Sequence, residues 1–409
     1  MKKQNGIIIV LVISVAIVLA FGTFNMVKSA PAPAPIKIGF INHFTGPLTG
    51  MGQRMERGAR FALEQIGFQI AGRPVVFIVE DDGTDPGIAV DKARKLVMQD
   101  KVSIILGPVA GHCSEAVASY LGSVKIPNGE LSDAYLTNAR FPYHFSPSGS
   151  LSQYTYPWGK YCAQKLGYKT AIVVACDYSA GLNKIKNWAA GFKEAGGTIV
   201  NENSPILPPL GTSDFSSYLT AITRYKADVV GVWTPSMDGI RFIKQYGEYG
   251  LKDKYPLIGL QGIGLLKEEL LPEAGPTVIG MMGTKQFVDT RQSKHTQAVV
   301  AAYKAKYGML MGDDAGDAYT SMEMAIAGIK ASINDLSGDK LLKAILNLDM
   351  ETISGRKRFD KQVRFCIAQP TVVKVEMKDG QYINTVVDVL PEVSPRSVPD
   401  FPEIEKYVK

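Results

Sequence analysis

The chain has 409 residues, 46% hydrophobic and 21% charged, which is the composition of an ordinary globular protein rather than a disordered or collagen-like one. That length supplies two or three domains' worth of chain. The 45 basic residues fall to 42 when Lys2, Lys3 and Lys28 of the N-terminal segment are set aside, against 39 acidic ones. No Lys/Arg cluster beyond the short Arg356-Lys357-Arg358 offers the concentrated basic face of a nucleic-acid binder, so that partner class is excluded.

Met1–Gly6 carries two lysines, and Ile7–Phe24 is an uncharged, mostly aliphatic run of 18 residues. A stiff Pro/Ala stretch at 31–35 follows. A positive start, an apolar centre and small residues beyond it read as an export signal over residues 1–30. The run just reaches spanning length, and each small-residue cleavage option (Ala30, Ala32, Ala34) precedes a proline. Both details speak against cleavage, yet the positive start, apolar centre and small residues together favour a cleaved signal over a retained anchor; either reading places the rest of the chain outside the cytoplasmic membrane, in the periplasm or its equivalent. Without a Cys near the start, a lipid anchor is ruled out. Cys113, Cys162, Cys176 and Cys366 show no CxxC spacing, and buried free thiols are at least as compatible with so large a core as disulfides.

The rest alternates β-rich runs with amphipathic helices. Residues 36–42, 75–80 and 102–106 are predicted strands; 54–66 and 88–98 are predicted helices. This βαβαβ rhythm implies a parallel sheet covered on both faces. It restarts with strands at 171–175, 198–203, 229–233 and 256–259. Helices are predicted at 182–192, 215–224 and 239–249, the first with Leu182, Ile185, Ala189 and Phe192 facing inward. Helices at 294–307, 315–332 and 339–346 come next. Asp379-Gly380 joins strands 372–378 and 381–387 as a two-residue hairpin. The proline-rich tail from Pro391 is expected to be an extended strap. The pattern is two doubly wound α/β domains in series.

Catalytic signatures are missing. His43, His112, His144 and His295 show no metal spacing, and there is no phosphate-binding loop, dinucleotide fingerprint or nucleophile elbow. Gly111-His112-Cys113-Ser114 is better read as a tight turn opening a helix than as a nucleophile. Asp81, Asp82 and Asp85 are better read as a strand end and helix cap than as a cation loop. No cofactor and no metal are expected, and binding is the better reading. In parallel sheets ligands sit beyond the carboxyl ends of strands. There the loop 107–112 leads into a helix whose first amides lack internal partners and can meet an anion. Tyr178, Trp233 and Gln261 occupy the analogous places in the second domain.

Several segments, in this order after an export signal, carry a resemblance. They are Ile36-Lys-Ile-Gly-Phe40, Thr45-Gly-Pro-Leu-Thr-Gly-Met-Gly52 with Gly58-Ala59, Asp81-Asp-Gly-Thr-Asp-Pro86 and Ile104-Ile-Leu-Gly-Pro108. Asp177-Tyr178 with Gly181, Gly211-Thr-Ser-Asp-Phe215 and Gly355-Arg-Lys-Arg-Phe-Asp360 complete the set. Over residues 36–390 the chain resembles the extracytoplasmic solute-binding proteins of ABC transporters, in particular the branched-chain amino acid (Leu/Ile/Val) binding family. The resemblance implies an α/β protein of the type I periplasmic binding fold, two Rossmann-like doubly wound lobes joined by three crossovers and closing like a flytrap. Lobe 1 would be 36–147 plus 283–359, and lobe 2 148–282 plus 360–390, with passages near Pro147, Met282 and Phe359 and an extension at 391–409. It also implies an ABC permease with ATPase subunits as partners, a monomer, and no chemistry on the ligand.

Carried over residue by residue, the family's carboxylate-binding Ser and Thr fall at Gly111 and Asp133. Its ammonium-pairing acid falls at Gln261, its second-lobe tyrosine at Tyr178, its side-chain shelf at Met51 and a carbonyl contact at Leu131. The positions of its first-lobe disulfide fall at Thr84 and Ala110. A buried ammonium without an anionic partner costs several kcal/mol, so the loss of the acid points away from leucine unless Asp133 takes that role. An aromatic or aliphatic carboxylate, or an amide, fits better: His112 and the helix amides would meet the anion, and Tyr178, Met51 and Trp233 its apolar body. Two other classes remain: a ligand sensor on the same flytrap, for which Met1–Gly6 leaves no room for an output domain, and an exported enzyme using Cys113 or His112.

Overall fold

The structure is a computed structural model and describes residues 33–46, 48–131 and 135–407. The export-signal reading of residues 1–30 lies outside the described residues, and no described helix is long and apolar enough to cross a membrane.

Strand β1 (Ile36–Asn42) pairs in parallel with both β3 (Arg73–Asp81) and β4 (Ile104–Leu106). Two short strands, β5 (Asn128–Gly129) and β6 (His144–Phe145), continue the parallel order. A two-residue β2 (Gln69–Ile70) adds antiparallel to β3 at the other edge, giving β2-β3-β1-β4-β5-β6. Helices α1 (Thr49–Gln65), α2 (Pro86–Lys95) and α3 (Gly111–Ser123) cover the sheet. α1 begins before the predicted Arg54, because two glycines hide its first turn in the hydrophobic pattern. They serve packing instead: a Cβ on Gly52 would stand 1.9 Å from the His43 carbonyl oxygen.

After a short α4 (Tyr135–Arg140), α5 (Ser152–Gln164) opens the second lobe. Its parallel sheet has the order β10-β9-β7-β8, from β7 (Thr170–Ala175), β8 (Thr198–Ile199), β9 (Val229–Trp233) and β10 (Leu257–Gly259). Helix α6 (Ser179–Glu194) follows β7, and α7 (Ser216–Ile222), α8 (Ser236–Glu248) and α9 (Leu271–Ala274) complete the layer. β8 stops four residues short of the predicted Asn203. The Asn201 side chain ends it by exchanging both its hydrogen bonds, at 2.9 Å each, with the Val173 backbone, where a ladder would have continued.

The inward face of α6 also differs from the expected one. Ala189 and Phe192 are buried as expected, but Ile185 is only partly buried and Leu182 is 44% exposed, while Gly181, Lys184, Trp188 and Gly191 are buried as well. Glycines fix this rotation: a Cβ on Gly191 would lie 2.0 Å from the Tyr156 carbonyl, and one on Gly159 would lie 2.1 Å from that of Trp188. α5 and α6 thus touch backbone to backbone, a contact that apolar periodicity alone does not register.

Two hydrophobic cores follow the two sheets. One gathers residues 36–145 and 287–366, including Phe40, Leu106, Phe145, Phe287 and Phe359; the other gathers 158–288 and 372–390. The second core also takes in a three-stranded sheet in which β11 (Met282–Lys285) pairs with β15 (Thr371–Lys378), and β15 with β16 (Gln381–Val389). Met281 and Met282 pack with the second core and Phe287 with the first. β13 (Gly355–Asp360) and β14 (Phe365–Cys366) pair with each other, and Ser146 bridges Phe365. β13 also pairs with β12 (Asp349–Thr352). α10 (Lys294–Tyr307), α11 (Gly312–Ala331) and α12 (Gly338–Leu346) return to the first lobe. The hairpin turn is as expected, Asp379 and Gly380 both having positive φ. The tail is not wholly extended: it forms α13 (Phe401–Glu405), with Ile404 buried against Ala139, Val363 and Phe365.

Candidate ligand site

In the first lobe the loops beyond β1, β3 and β4 are tied together by the polar side chains of Asp81, Asp82 and His43. Asp81 accepts from the amides of Phe44 (2.8 Å), Thr45 (3.3 Å) and Gly83 (2.9 Å) and from the Thr45 hydroxyl (2.8 Å). Burial opposes its charge, but these donors win and hold its carboxyl below the ordinary value. Asp82 and His43, both fully buried, lie 2.5 Å apart at Nδ1, and His43 Nε2 accepts from the Ala110 amide at 3.2 Å. That pattern assigns the Nδ1–H tautomer to His43, donating to Asp82. Asp85 caps α2 through the Ile88 amide at 2.9 Å, as the acidic run implied.

The His43–Asp82 pair thus fixes Ala110, the residue that caps α3 without any side-chain hydrogen bond. The amides that open α3 carry the positive end of its dipole. Gly111 leaves open space, with nothing within 4 Å of an added Cβ. His112 is exposed and its Nε2 bonds the Thr84 carbonyl at 3.2 Å, so only the Nδ1 side of the ring can address a ligand. Cys113 turns the other way, into a small core with Ile105 and Val117. Burial first, then Asp82 and Asp85, push its thiol up to about 12, the opposite of an activated nucleophile. Met51 is half-buried against the first core and Leu131 is buried within it. Asp133 lies outside the described residues.

In the second lobe two of the predicted residues, Tyr178 and Trp233, lie against each other. Tyr178 and Trp233 stand at the ends of β7 and β9, their rings 6.1 Å apart at the centroids and inclined by 39°. Burial pushes the Tyr178 hydroxyl up to about 12, so it remains a neutral donor. Trp233 donates to the Ile263 carbonyl at 3.0 Å, which fixes its indole against the loop carrying Gln261. Gln261 is fully buried; its amide reaches the Leu151 carbonyl only at 3.5 Å and its oxygen has no hydrogen-bond partner. Sequence reasoning missed Lys184, 1% exposed, whose ammonium lies 4.0 Å from the Trp233 ring centroid. Its signal was a lysine on the glycine-marked face of α6. Missed too were the His43–Asp82 pair and Glu130, fully buried beside His144 at 3.7 Å.

All four cysteines are free and buried, in keeping with Thr84 and Ala110 standing where the family disulfide would be. Among the described residues no group of His, Cys, Asp or Glu could hold a metal ion.

Comparison with known proteins identifies the fold. A family model described as periplasmic binding protein matches residues 35–381. The Leu/Ile/Val-binding protein homolog 6 of Brucella suis is 25% identical over 372 residues, covering 89% of this chain and 94% of the relative. An ABC transporter substrate-binding protein from Sphaerobacter thermophilus superposes with a TM-score of 0.83 at 30% identity, covering 88% of this chain and 99% of that one. A solute-binding protein of an ABC transporter from Rhodopseudomonas palustris, solved in complex with 3,4-dihydroxybenzoic acid, gives 0.81 at 26% identity, covering 88% and 98%. With two doubly wound lobes, three passages between them and a family match over most of its length, the chain belongs to the periplasmic binding protein family of extracytoplasmic solute-binding proteins.

Proposed function

We propose that this protein is the substrate-binding component of an ABC importer, and that its ligand is a small aromatic carboxylate without an α-amino group. It would be exported by residues 1–30, close its lobes around the ligand and deliver it unchanged to a membrane permease powered by ATPase subunits. The observation that carries the ligand class is Gln261. Gln261 is a buried neutral carboxamide; at the position to which the resemblance carries the acid of amino-acid binders, it would leave an ammonium without its counter-charge, at a cost of several kcal/mol.

The rest of the site supports the same chemistry. Tyr178 and Trp233 offer flat apolar surface, for which an aromatic ring is the natural partner. Lys184 beneath Trp233 adds positive charge to that lobe. On the opposite lobe the opening amides of α3, Gly111 and His112 offer donors to a carboxylate. The space at Gly111 suits a ligand bulkier at that end than the family's serine would admit. Met51, Leu131 and Asp133 complete the proposed lining.

Lobe 1 is proposed to comprise 36–147 with 286–366, and lobe 2 148–285 with 371–390. Calorimetric titration with 4-hydroxybenzoate, 3,4-dihydroxybenzoate, leucine and valine tests the reading. Stoichiometric binding of a benzoate with silent amino acids supports it, and the reverse refutes it.

A further inference from the structure

A chain of four charges crosses between the lobes, made by residues other than the proposed ligand contacts. Asp314 lies in the first turn of α11, between Met311 and Ala315 of the first core, and Arg54 on α1 beside Met55 of the same core. Lys267 and Glu269 lie between Leu266 and Leu271 of the second core. The Lys267 ammonium meets both Asp314 oxygens, at 3.0 and 2.9 Å. Arg54 Nε meets Asp314 at 2.8 Å and Glu269 at 3.1 Å. The contacts thus run Lys267–Asp314–Arg54–Glu269, crossing from one lobe to the other and back.

The two halves of the chain differ in wetness. The Lys267 and Asp314 side chains are 2% and 7% exposed, against 29% for Arg54 and 33% for Glu269. A cavity of about 410 Å³, whose lining includes Arg54, Arg57, Glu269, Tyr303, Met309 and Tyr382, flanks the outer half. Solvent ions reach that half and screen it, so it contributes little. The inner pair is dry. Burial alone would raise the Asp314 carboxyl, yet Lys267 and then Arg54 hold it below its ordinary value.

We infer that Lys267 and Asp314 are positioning residues for ligand capture, a latch that makes closure of the two lobes all-or-none. A buried pair gains little over two hydrated ions, because desolvation offsets the attraction. Its effect is to penalise every partly closed arrangement in which one of these groups has lost water without gaining its partner. Fully open and fully closed states are left, and the closed one holds the ligand longer. The role is independent of ligand contact, although its use in capture rests on the transport reading above.

Small-angle scattering of the ligand-free protein tests the latch without any ligand. Lys267→Met leaves Asp314 with Arg54 alone, and Asp314→Leu leaves Lys267 buried and unpaired. Each should shift the protein to a larger radius of gyration. The double variant Lys267→Met/Asp314→Leu replaces the pair by apolar volume, keeps Arg54 on Glu269, and should return the wild-type curve. Circular dichroism distinguishes opening from unfolding. With 4-hydroxybenzoate as the probe, dissociation should be about 10-fold faster or more in each single variant, and faster than wild type in the double as well, which still closes but no longer penalises partly closed states; a double variant that releases the ligand at the wild-type rate would overturn the latch. Folded single variants that scatter like wild type would overturn the latch, as would a double variant as expanded as the singles. If wild type binds no benzoate, the ligand assignment fails while the scattering result still decides the latch.

Discussion

The proposed contacts on the two lobes differ in chemistry. The first lobe's face is built from backbone: amides at the start of α3, a glycine with open space above it, and loops tied by Asp81, Asp82 and His43. The second lobe's face is built from side chains, the Tyr178–Trp233 pair and the lysine under the indole. Backbone donors recognise an anion's position, whereas aromatic faces recognise an apolar body. The asymmetry suits a ligand that is anionic at one end and flat at the other. It also predicts where mutations should hurt most.

The largest effect belongs to the aromatic lobe. Tyr178→Ala should abolish measurable 4-hydroxybenzoate binding by calorimetry, a loss of about 30-fold or more at a hot-spot cost of ~2 kcal/mol. Unchanged affinity would move the site elsewhere. Gln261→Glu places a carboxylate where a buried oxygen already lacks a partner, so benzoate binding should disappear with a drop of several kcal/mol in stability. A variant that gained leucine binding would sharpen the comparison, showing that one atom pair selects the cargo.

Changes in the backbone-built lobe should be milder. Gly111→Ser has room for its side chain, so the melting temperature should hold while benzoate affinity falls severalfold as the space fills. Gly191→Ala does not touch the ligand; it drives a methyl into the Tyr156 carbonyl at 2.0 Å and should cost about 1–3 kcal/mol in denaturant titration.

The smallest effect concerns pH. His295 lies 2.5 Å from Glu323, and that hydrogen bond raises its pKa above 6.5 despite partial burial. A raised folded pKa means the pair's stabilisation is full below about pH 6.5 and fades as pH rises through the folded value. His295→Gln should therefore lose stability at pH 5.5, by less than ~1 kcal/mol because the ring is 40% exposed, and nothing at pH 9. Equal losses at both pH values would show that packing, not charge, is involved.

Much of the frame was legible because it repeats. β1 and β9 match their predicted spans, α10 its predicted ends, and Asp379-Gly380 its turn, since each rests on a local pattern of period or φ. The misses involve contacts that are distant in sequence. Asn201 ends a strand by bonding Val173, Gly191 turns a helix by meeting Tyr156, and Lys267 finds Asp314 across 47 residues. Within the proposed site, the strand ends mark Tyr178 and Trp233 in the sequence, and their rings lie 6.1 Å apart. His43 and Lys184 are not marked, because a histidine after a strand or a lysine in a helix looks ordinary until its partner is seen.

The most direct measurement is a thermal-shift comparison of 4-hydroxybenzoate, 3,4-dihydroxybenzoate, leucine and valine on one preparation of the protein. At a hundred times its Kd a true ligand stabilises the fold by about 2.7 kcal/mol, which is a clear rise in melting temperature. The account predicts that rise for a benzoate and none for leucine or valine. A rise with leucine and none with either benzoate would contradict it.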